Sequence, residues 1–544
     1  MNPYSFALRA VCLGLVVAML CSCSNDAAKN AEWEKKQKGA IENFIARTNG
    51  TVKVGSIAVS ALDKSFTLSN VTGSVPISYA VPGAGPARCV LDFTVAQVRG
   101  EGLNTADAPG SVDTLRKLTV TDYVAVSKFE GFSNDPQSGQ GKPASEEMFT
   151  SKYAASEWAY YDVKGDFSVL AELFSGRFDK EIVAKLAGFS IGEGTAKNYL
   201  IENFFPDTGA EAEGKARSAR FMMSSASYKS ASVDGVGPGE MKNIELFFGE
   251  NQVASLETVS FKRFAVPGLL TKFFPMDDLS RKSEEELAQL ALDQEIVLDD
   301  IRVANLRVTP EPDITVTLRD AGLTIKRVKP AGALKLDIQN LVIPLEALHV
   351  GEEEGQSDFK SIYDKPLSIS LVFDLDGEEK TPQTGEYVIR LNKIYFAENN
   401  LGSVNISAEL DRKKDERAGE GKYHFDPDEF SLARAALGIK DSGMVDLGFK
   451  AASLMGGSGL SKEDGAALMR KLAGFVLTTQ CARISQALQG VCADLDKFIQ
   501  VPGEFELTYA PAHPLGIDEL MEKLLSADDP KVIGLSWKYT PPRQ

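Results

Sequence analysis

Ile314-Thr315-Val316-Thr317-Leu318 alternates apolar and polar residues without a break, and Leu334-Lys335-Leu336-Asp337-Ile338 does the same further on. Successive side chains of a β-strand point to opposite faces, so each run has one apolar face and one wet face. The same signature fills residues 296–410: Ile296 with Leu298, Ile301 with Val303, Leu306 with Val308, Leu323 with Ile325, Leu341 with Ile343, Leu367-Ile369-Leu371, Val388 alternating with Arg390, and Val404 with Ile406. The alternation slips by one residue at several points, as in Leu298-Asp299-Asp300-Ile301. A β-bulge would absorb such a slip and coil the sheet. Asp376-Gly377 and Asn399-Asn400 read as turns between runs. The runs are loosely alike but follow no strict period of the propeller or solenoid kind.

Upstream, the pattern recurs at Val52 with Val54, Ile57 with Val59, Phe66 with Leu68, Leu91-Phe93-Val95, Leu118 with Val120, Ile244-Leu246-Phe248 and Val259 with Phe261. Helical periodicity interrupts it. Asn30 to Arg47 places Ile41, Phe44 and Ile45 on one face with Trp33, sets Lys35, Lys36 and Lys38 toward solvent, and ends at Asn49-Gly50. Such a helix either packs on its own domain or lies on a membrane surface. Phe167 to Leu186, Ser283 to Leu292 with the capping box Ser283-x-x-Glu286, and Ser461 to Ile499 read as further helices, Ser461 or Asp464 starting the last. Pro502-Gly503 ends that block, Phe505-Leu507-Tyr509 alternates again, Ile517 to Leu525 is amphipathic, and Ile533 to Tyr539 reads as a last strand. The expected fold is therefore α+β: mainly antiparallel amphipathic sheets, elongated and coiled, with interspersed helices and a helical block near the C-terminus. Expected boundaries are 1–22 signal peptide, 23–50 tether and helix, 51–280 β-rich domain with a helical insertion, 281–425 β-meander, and 426–544 helical block with a terminal strand-helix-strand.

The N-terminus supplies an address. Ala10 to Leu20 is apolar and follows Arg9, far short of the ~20 residues that span a bilayer. Leu20-Cys21-Ser22-Cys23 resembles the lipobox of bacterial lipoproteins. The resemblance implies that Cys23 becomes the lipidated first residue of the mature chain, and Ser24, in place of Asp, favours the outer membrane. An ordinary cleaved signal is the alternative. The expected location is the bacterial cell envelope, lipid-anchored and periplasm-facing.

Of the remaining cysteines, Cys481 and Cys492 are the natural disulfide pair in an oxidising periplasm. A continuous helix would hold them ~16 Å apart, and a disulfide tolerates only ~7 Å between Cα atoms. A bend is required, and Gly490 is placed to supply it; two reduced helix cysteines are the alternative. Cys89 is expected to be buried outside that pair.

The net charge of −17 disfavours nucleic acid and adhesion to anionic headgroups, and reads as solubility. His349, His424 and His513 do not lie at metal-ligand spacing. Gly188-Phe189-Ser190-Ile191-Gly192 matches the nucleophile elbow of hydrolases, but that elbow needs a strand before it and a helix after it, whereas here the helical stretch comes first. His424, Asp426, Asp428 and Glu429 could hold calcium but lack the EF-hand spacing, and Asp428 reads as a helix cap. Gly456-Gly457-Ser458-Gly459 lacks the ending of a phosphate loop. No cofactor, metal or catalytic residue is expected.

Val54-Gly55-Ser56-Ile57-Ala58-Val59-Ser60 followed by Phe66-Thr67-Leu68-Ser69-Asn70-Val71, with Leu367 to Leu371 and Leu401-Gly402-Ser403-Val404-Asn405-Ile406, resembles the periplasmic AsmA-like group of repeating-β-groove proteins. The resemblance implies a long curled antiparallel sheet whose apolar inner face holds lipid tails. A lipobox stands where that group carries a transmembrane helix, which speaks against a role bridging from the inner membrane. The expected function is a non-enzymatic envelope lipoprotein that binds lipid or another apolar ligand along its sheet. The alternatives are a scaffold acting through envelope protein partners and, more remotely, a serine hydrolase using Ser190.

Overall fold

The computed structural model describes residues 27–542 apart from 49, 82–84, 105–111, 134–143, 168, 170–179, 206–216, 233, 267–294, 312–313, 329–330, 348–361, 382–385, 413–429, 456–460 and 486–487. Of the described residues 64% are in strands and 23% in helices, which makes the chain an α+β protein that is mainly antiparallel sheet. It divides into two compact units, residues 1–301 and 302–544. The expected boundaries at 22/23, 280/281 and 425/426 fall outside the described residues. So does the helix expected at Ser283 to Leu292.

The first unit is a meander of unusually long strands. It opens with helix α1 (Ala27–Arg47), ended by Gly50 at φ +80°. Then come β1 (Val52–Ser60), β2 (Ser65–Val81), β3 (Gly85–Asn104), β4 (Asp113–Ser133) and β5 (Ala144–Gly165). Helix α2 (Lys180–Leu186) precedes β6 (Ser190–Phe205), β7 (Arg217–Ser232), β8 (Gly235–Val236), β9 (Gly239–Phe248), β10 (Asn251–Phe261) and β11 (Arg263–Ala265). Pairing runs β1 to β7 in chain order, then β7 to β9 and β9 to β10.

Strict alternation does not hold along these strands. In β4 the buried apolar residues are Leu115, Leu118, Val120, Tyr123 and Ala125; in β5 they include Tyr153, Ala155, Trp158, Tyr160 and Val163. The steps alternate between two and three. The long steps coincide with residues in the left-handed region: Asn70, Asp122, Asn198 and Asn243 on β2, β4, β6 and β9. The register places them in one line across the sheet, facing Ala96, Ser156, Ser224 and Glu257 one for one. A second line holds Gly102, Asp162 and Ser230. Asn and Asp tolerate positive φ better than other residues with a Cβ. Their partners complete the motif: the Asn198 amide donates to Ser156 Oγ at 3.0 Å, and the Asn243 amide to Ser224 Oγ at 3.0 Å. At these positions a left-handed residue shifts the apolar phase while the register is kept, whereas β5 and β10 elsewhere in the unit each carry a true bulge with one extra residue. Aromatic rings lie over cross-strand glycines in the same unit, Phe66 over Gly100, Phe93 over Gly73 and Tyr228 over Gly194. A Cβ at any of these glycines would meet the ring.

The core of this unit lies on the apolar face of β1–β5, where Phe66, Leu68, Val71, Leu91, Phe93, Val95, Leu118, Tyr123 and Trp158 are buried. Ile41 and Phe44 of α1 close it from above, with Phe167, Val169 and Leu186.

Strand β12 (Ile296–Glu311) crosses from one unit into the next and carries left-handed Asp300 and Asn305. What reads in the sequence as three short runs is one strand. The second unit continues with β13 (Ile314–Val328), β14 (Ala331–Ile343), β15 (Leu367–Thr381), β16 (Glu386–Glu398), β17 (Gly402–Arg412) and β18 (Phe430–Asp441). Helices α3 (Met444–Met455), α4 (Lys462–Ile484) and α5 (Gln489–Gln500) follow. Then come β19 (Glu504–Tyr509), β20 (Leu515–Gly516), α6 (Ile517–Ser526) and β21 (Leu535–Thr540). Asp376-Gly377 is not a turn: both residues lie inside β15, where Asp376 opposes Arg390 and Gly377 opposes Ile389. The ion pair with Arg390 holds Asp376 in the ladder. True bulges occur at Asn340, Asn392 and Ala433, where one strand carries an extra residue.

Candidate functional site

In the second unit the register stacks apolar side chains into rows that cross the strands. One row runs Leu323, Leu336, Phe373, Ile394, Ile406, Leu437, Leu507 and Trp537. Its neighbour runs Ile338, Leu371, Phe396, Val404, Ile439, Phe505 and Tyr539. A third joins Ile325, Leu334, Leu375 and Leu391. The opposite face is charged. Arg390 pairs with Asp376 at 3.1 Å and Glu378 at 2.6 Å, Arg434 with Glu409 at 2.8 Å, Lys335 with Asp374 at 3.4 Å and Arg302 with Asp320 at 3.1 Å. Exposed pairs of this kind contribute little stability each. Their effect is to keep that face in water and so to settle which face is the apolar one.

The two ends of the apolar face differ. At β18–β21 it is covered. Val491 and Phe498 of α5 pack on Phe505, Tyr509 and Leu535, and Leu520 and Leu524 of α6 pack alongside. From β13 to β17 the rows are half-buried. Phe396 is 38% exposed and Ile406 36%, large values for the apolar face of a sheet. Helices α5 and α6 thus close the apolar face at β18–β21. Ser461 caps α4, its Oγ accepting from the Asp464 N–H at 3.1 Å. Helix α3 lies within the stretch expected to be a helical block and starts where Asp441 Oδ1 accepts from the Val445 N–H at 2.9 Å.

Glu398 closes one end of this sheet. It is buried, and its carboxylate accepts from the Tyr363 hydroxyl at 3.1 Å, the Ser368 N–H at 3.0 Å, and the Asn400 N–H at 2.8 Å. Burial alone would raise its pKa; the backbone donors of Ser368 and Asn400, with Tyr363 and the Asn400 side chain, outweigh it and hold the carboxyl below its ordinary value. With its oxygens so engaged, Glu398 ties the segment that leads into β15 to the turn between β16 and β17.

Cys481 and Cys492 are bonded across 6.3 Å between Cα atoms, joining the end of α4 to α5. The bend lies after Ile484, where α4 stops at Ser485 and α5 begins at Gln489. Gly490 does not make it. That glycine lies within α5 and leaves room for the Trp537 ring, whose Cζ2 would stand 2.6 Å from a Cβ there. Cys89 is buried in β3. Ser190 opens β6 directly after helix α2 and a turn at Ala187-Gly188, an order opposite to the nucleophile elbow. Cys23, His349, His424, Asp426, Asp428, Glu429 and the Gly456 to Gly459 stretch fall outside the described residues, and His513 lies in the loop between β19 and β20. Among the described residues no group of three or more His, Cys, Asp or Glu could hold a metal, and no helix is long and apolar enough to cross a membrane.

A second apolar surface lies on the helices. Leu468, Leu472, Phe475 and Val476 of α4 face outward, Phe475 being 68% exposed. Leu472 and Val476 of this stripe also line an open cleft of about 530 Å³, together with Phe449, Ala452, Met469, Ala473, Leu477 and Ile499.

Comparison with known proteins leaves these surfaces to speak for themselves. No family model, curated protein or solved structure matches this chain.

Proposed function

We propose that the chain is a non-enzymatic cell-envelope lipoprotein that holds lipid tails, or another apolar ligand, along the sheet of its second unit. The observation that carries this reading is the half-buried apolar face of β13–β17, continuous with rows that helices cover at β18–β21. Bare apolar surface of that extent is costly in water. Hydrocarbon lying across the strands would remove it from water, and the apolar rows impose no polar recognition on the ligand. The anchor belongs to the same reading: Cys23 acylated, the chain facing the periplasm, in the outer membrane as Ser24 favours. Each buried methylene of an acyl chain contributes ~0.8 kcal/mol, so several chains hold firmly. Mass spectrometry of lipid co-purifying with the folded chain tests the reading.

The outward stripe of α4 favours a second reading, a scaffold that receives an envelope protein on Leu468, Leu472, Phe475 and Val476. Replacing Phe475 with Asp separates the two: it abolishes partner capture in a scaffold and leaves lipid retention intact in a lipid binder.

A further inference from the structure

Helix α1 covers the apolar face of the first strands, yet the centre of its packing stripe is polar. Trp33, Gln37, Ile41 and Phe44 recur at helical spacing and are all buried, Gln37 to 1% exposure. Among the described residues neither the Gln37 side-chain amide nor the Trp33 indole N–H has a hydrogen-bond partner. Buried polar groups are nearly always paired, because an unpaired one keeps its full desolvation cost. A leucine would fill the Gln37 position without that cost. The outward side of α1 carries exposed Lys35, Lys36 and Lys38. The helix holds five basic residues against three acidic ones in a chain of net charge −17. Trp, Ile and Phe on one side and lysines on the other is the pattern of a helix that lies in a lipid interface.

We propose that α1 is a detachable lid with two resting places, the sheet of the first unit and an anionic lipid surface. The unpaired Gln37 amide weakens the first, and the lysines favour the second. Departure of α1 uncovers an apolar face of the kind that β13–β17 present in the other unit, and makes it a second site for hydrocarbon. That last step rests on the lipid-binding reading; the detachment itself does not.

Hydrogen exchange on the full chain tests the detachment. The amides of α1 exchange ahead of those of β2–β5, and anionic phosphatidylglycerol vesicles shift α1 alone, while zwitterionic phosphatidylcholine vesicles do not. Gln37→Leu, or Gln37→Met should leucine fold poorly, slows α1 exchange roughly tenfold or more. Exchange of α1 only together with β2–β5, or no slowing in either variant, overturns the lid. Equal effects of both vesicle types overturn the anionic surface as its second resting place. Entry of hydrocarbon is read separately: a brominated fatty acid quenches Trp158 in a Trp33→Phe, Trp537→Phe background, and Gln37→Leu reduces the quenching. Detachment without quenching of Trp158 overturns the second site and leaves lipid retention by the second unit, measured on the same preparation, as an independent result.

Discussion

Leu336→Asp separates an open apolar face from a filled core. Leu336 sits half-buried in the row between Leu323 and Phe373, and Lys335 beside it points to the charged face. Burying a leucine fully contributes about 1.5–3 kcal/mol, so losing a half-buried one costs about 1 kcal/mol. The poor strand preference of aspartate adds up to about 1 kcal/mol. With water able to reach the new carboxylate, the sum is about 2 kcal/mol, a fall of roughly 4–8 °C in Tm for a unit of this size. In a closed core the same substitution buries an unpaired charge and costs more than about 4 kcal/mol, enough to unfold the unit. Thermal unfolding and lipid extraction on one preparation give both readouts. The open face predicts a folded variant with a modest Tm loss and clearly less bound lipid; Thr324→Asp on the wet face leaves the lipid unchanged. An insoluble or unfolded Leu336→Asp beside a lipid-free wild type would refute the reasoning.

Other expectations follow from single contacts. Cys23→Ser releases the chain from the membrane fraction or leaves its signal uncut; unchanged pelleting and unchanged mature mass contradict the anchor. Removing the Cys481–Cys492 bridge costs about 3 kcal/mol from the closed loop and loosens α4 and α5 more than β13–β17, as hydrogen exchange reports. Gly100→Ala drives a methyl into the Phe66 ring and destabilises by about 1–3 kcal/mol, partly restored by Phe66→Leu in a double-mutant cycle. Glu398 has a folded pKa below its ordinary value, so its stabilisation is present above the ordinary carboxylate range and is lost as pH falls through the folded pKa. Glu398→Gln therefore lowers stability at pH 7, and the gap between variant and wild type closes in acid.

The class of fold was legible because alternation survives within each short run. The length of the strands was not. Where β12 carries Asp300 and Asn305 at positive φ, the apolar phase jumps, and one strand looks like three. An Asn or Asp directly before an apolar residue marks the jump at Asn70-Val71, Asp122-Tyr123, Asn198-Tyr199, Asn243-Ile244 and Asn340-Leu341, a signal readable in the sequence once its geometry is known. Asp376-Gly377 misled for the converse reason: turn-forming residues were held in a strand by a cross-strand arginine. The border between β18 and α3 was not legible, because Asp441 ends the strand and caps the helix within a few residues. Cys481 with Cys492 was legible from compartment and spacing, while the place of the bend was not, since Gly490 serves the packing of Trp537. Which helices cover which part of the apolar face depends on contacts distant in sequence, and no local pattern encodes them.

The most direct measurement is native mass spectrometry of the chain from Ser24 onward, purified without detergent so that no anchor lipid contributes. The account predicts a folded protein carrying hydrocarbon ligands that leave on collisional activation, and fewer of them on Leu336→Asp. A folded, monodisperse protein of bare polypeptide mass, unchanged after incubation with phospholipid vesicles, would contradict it.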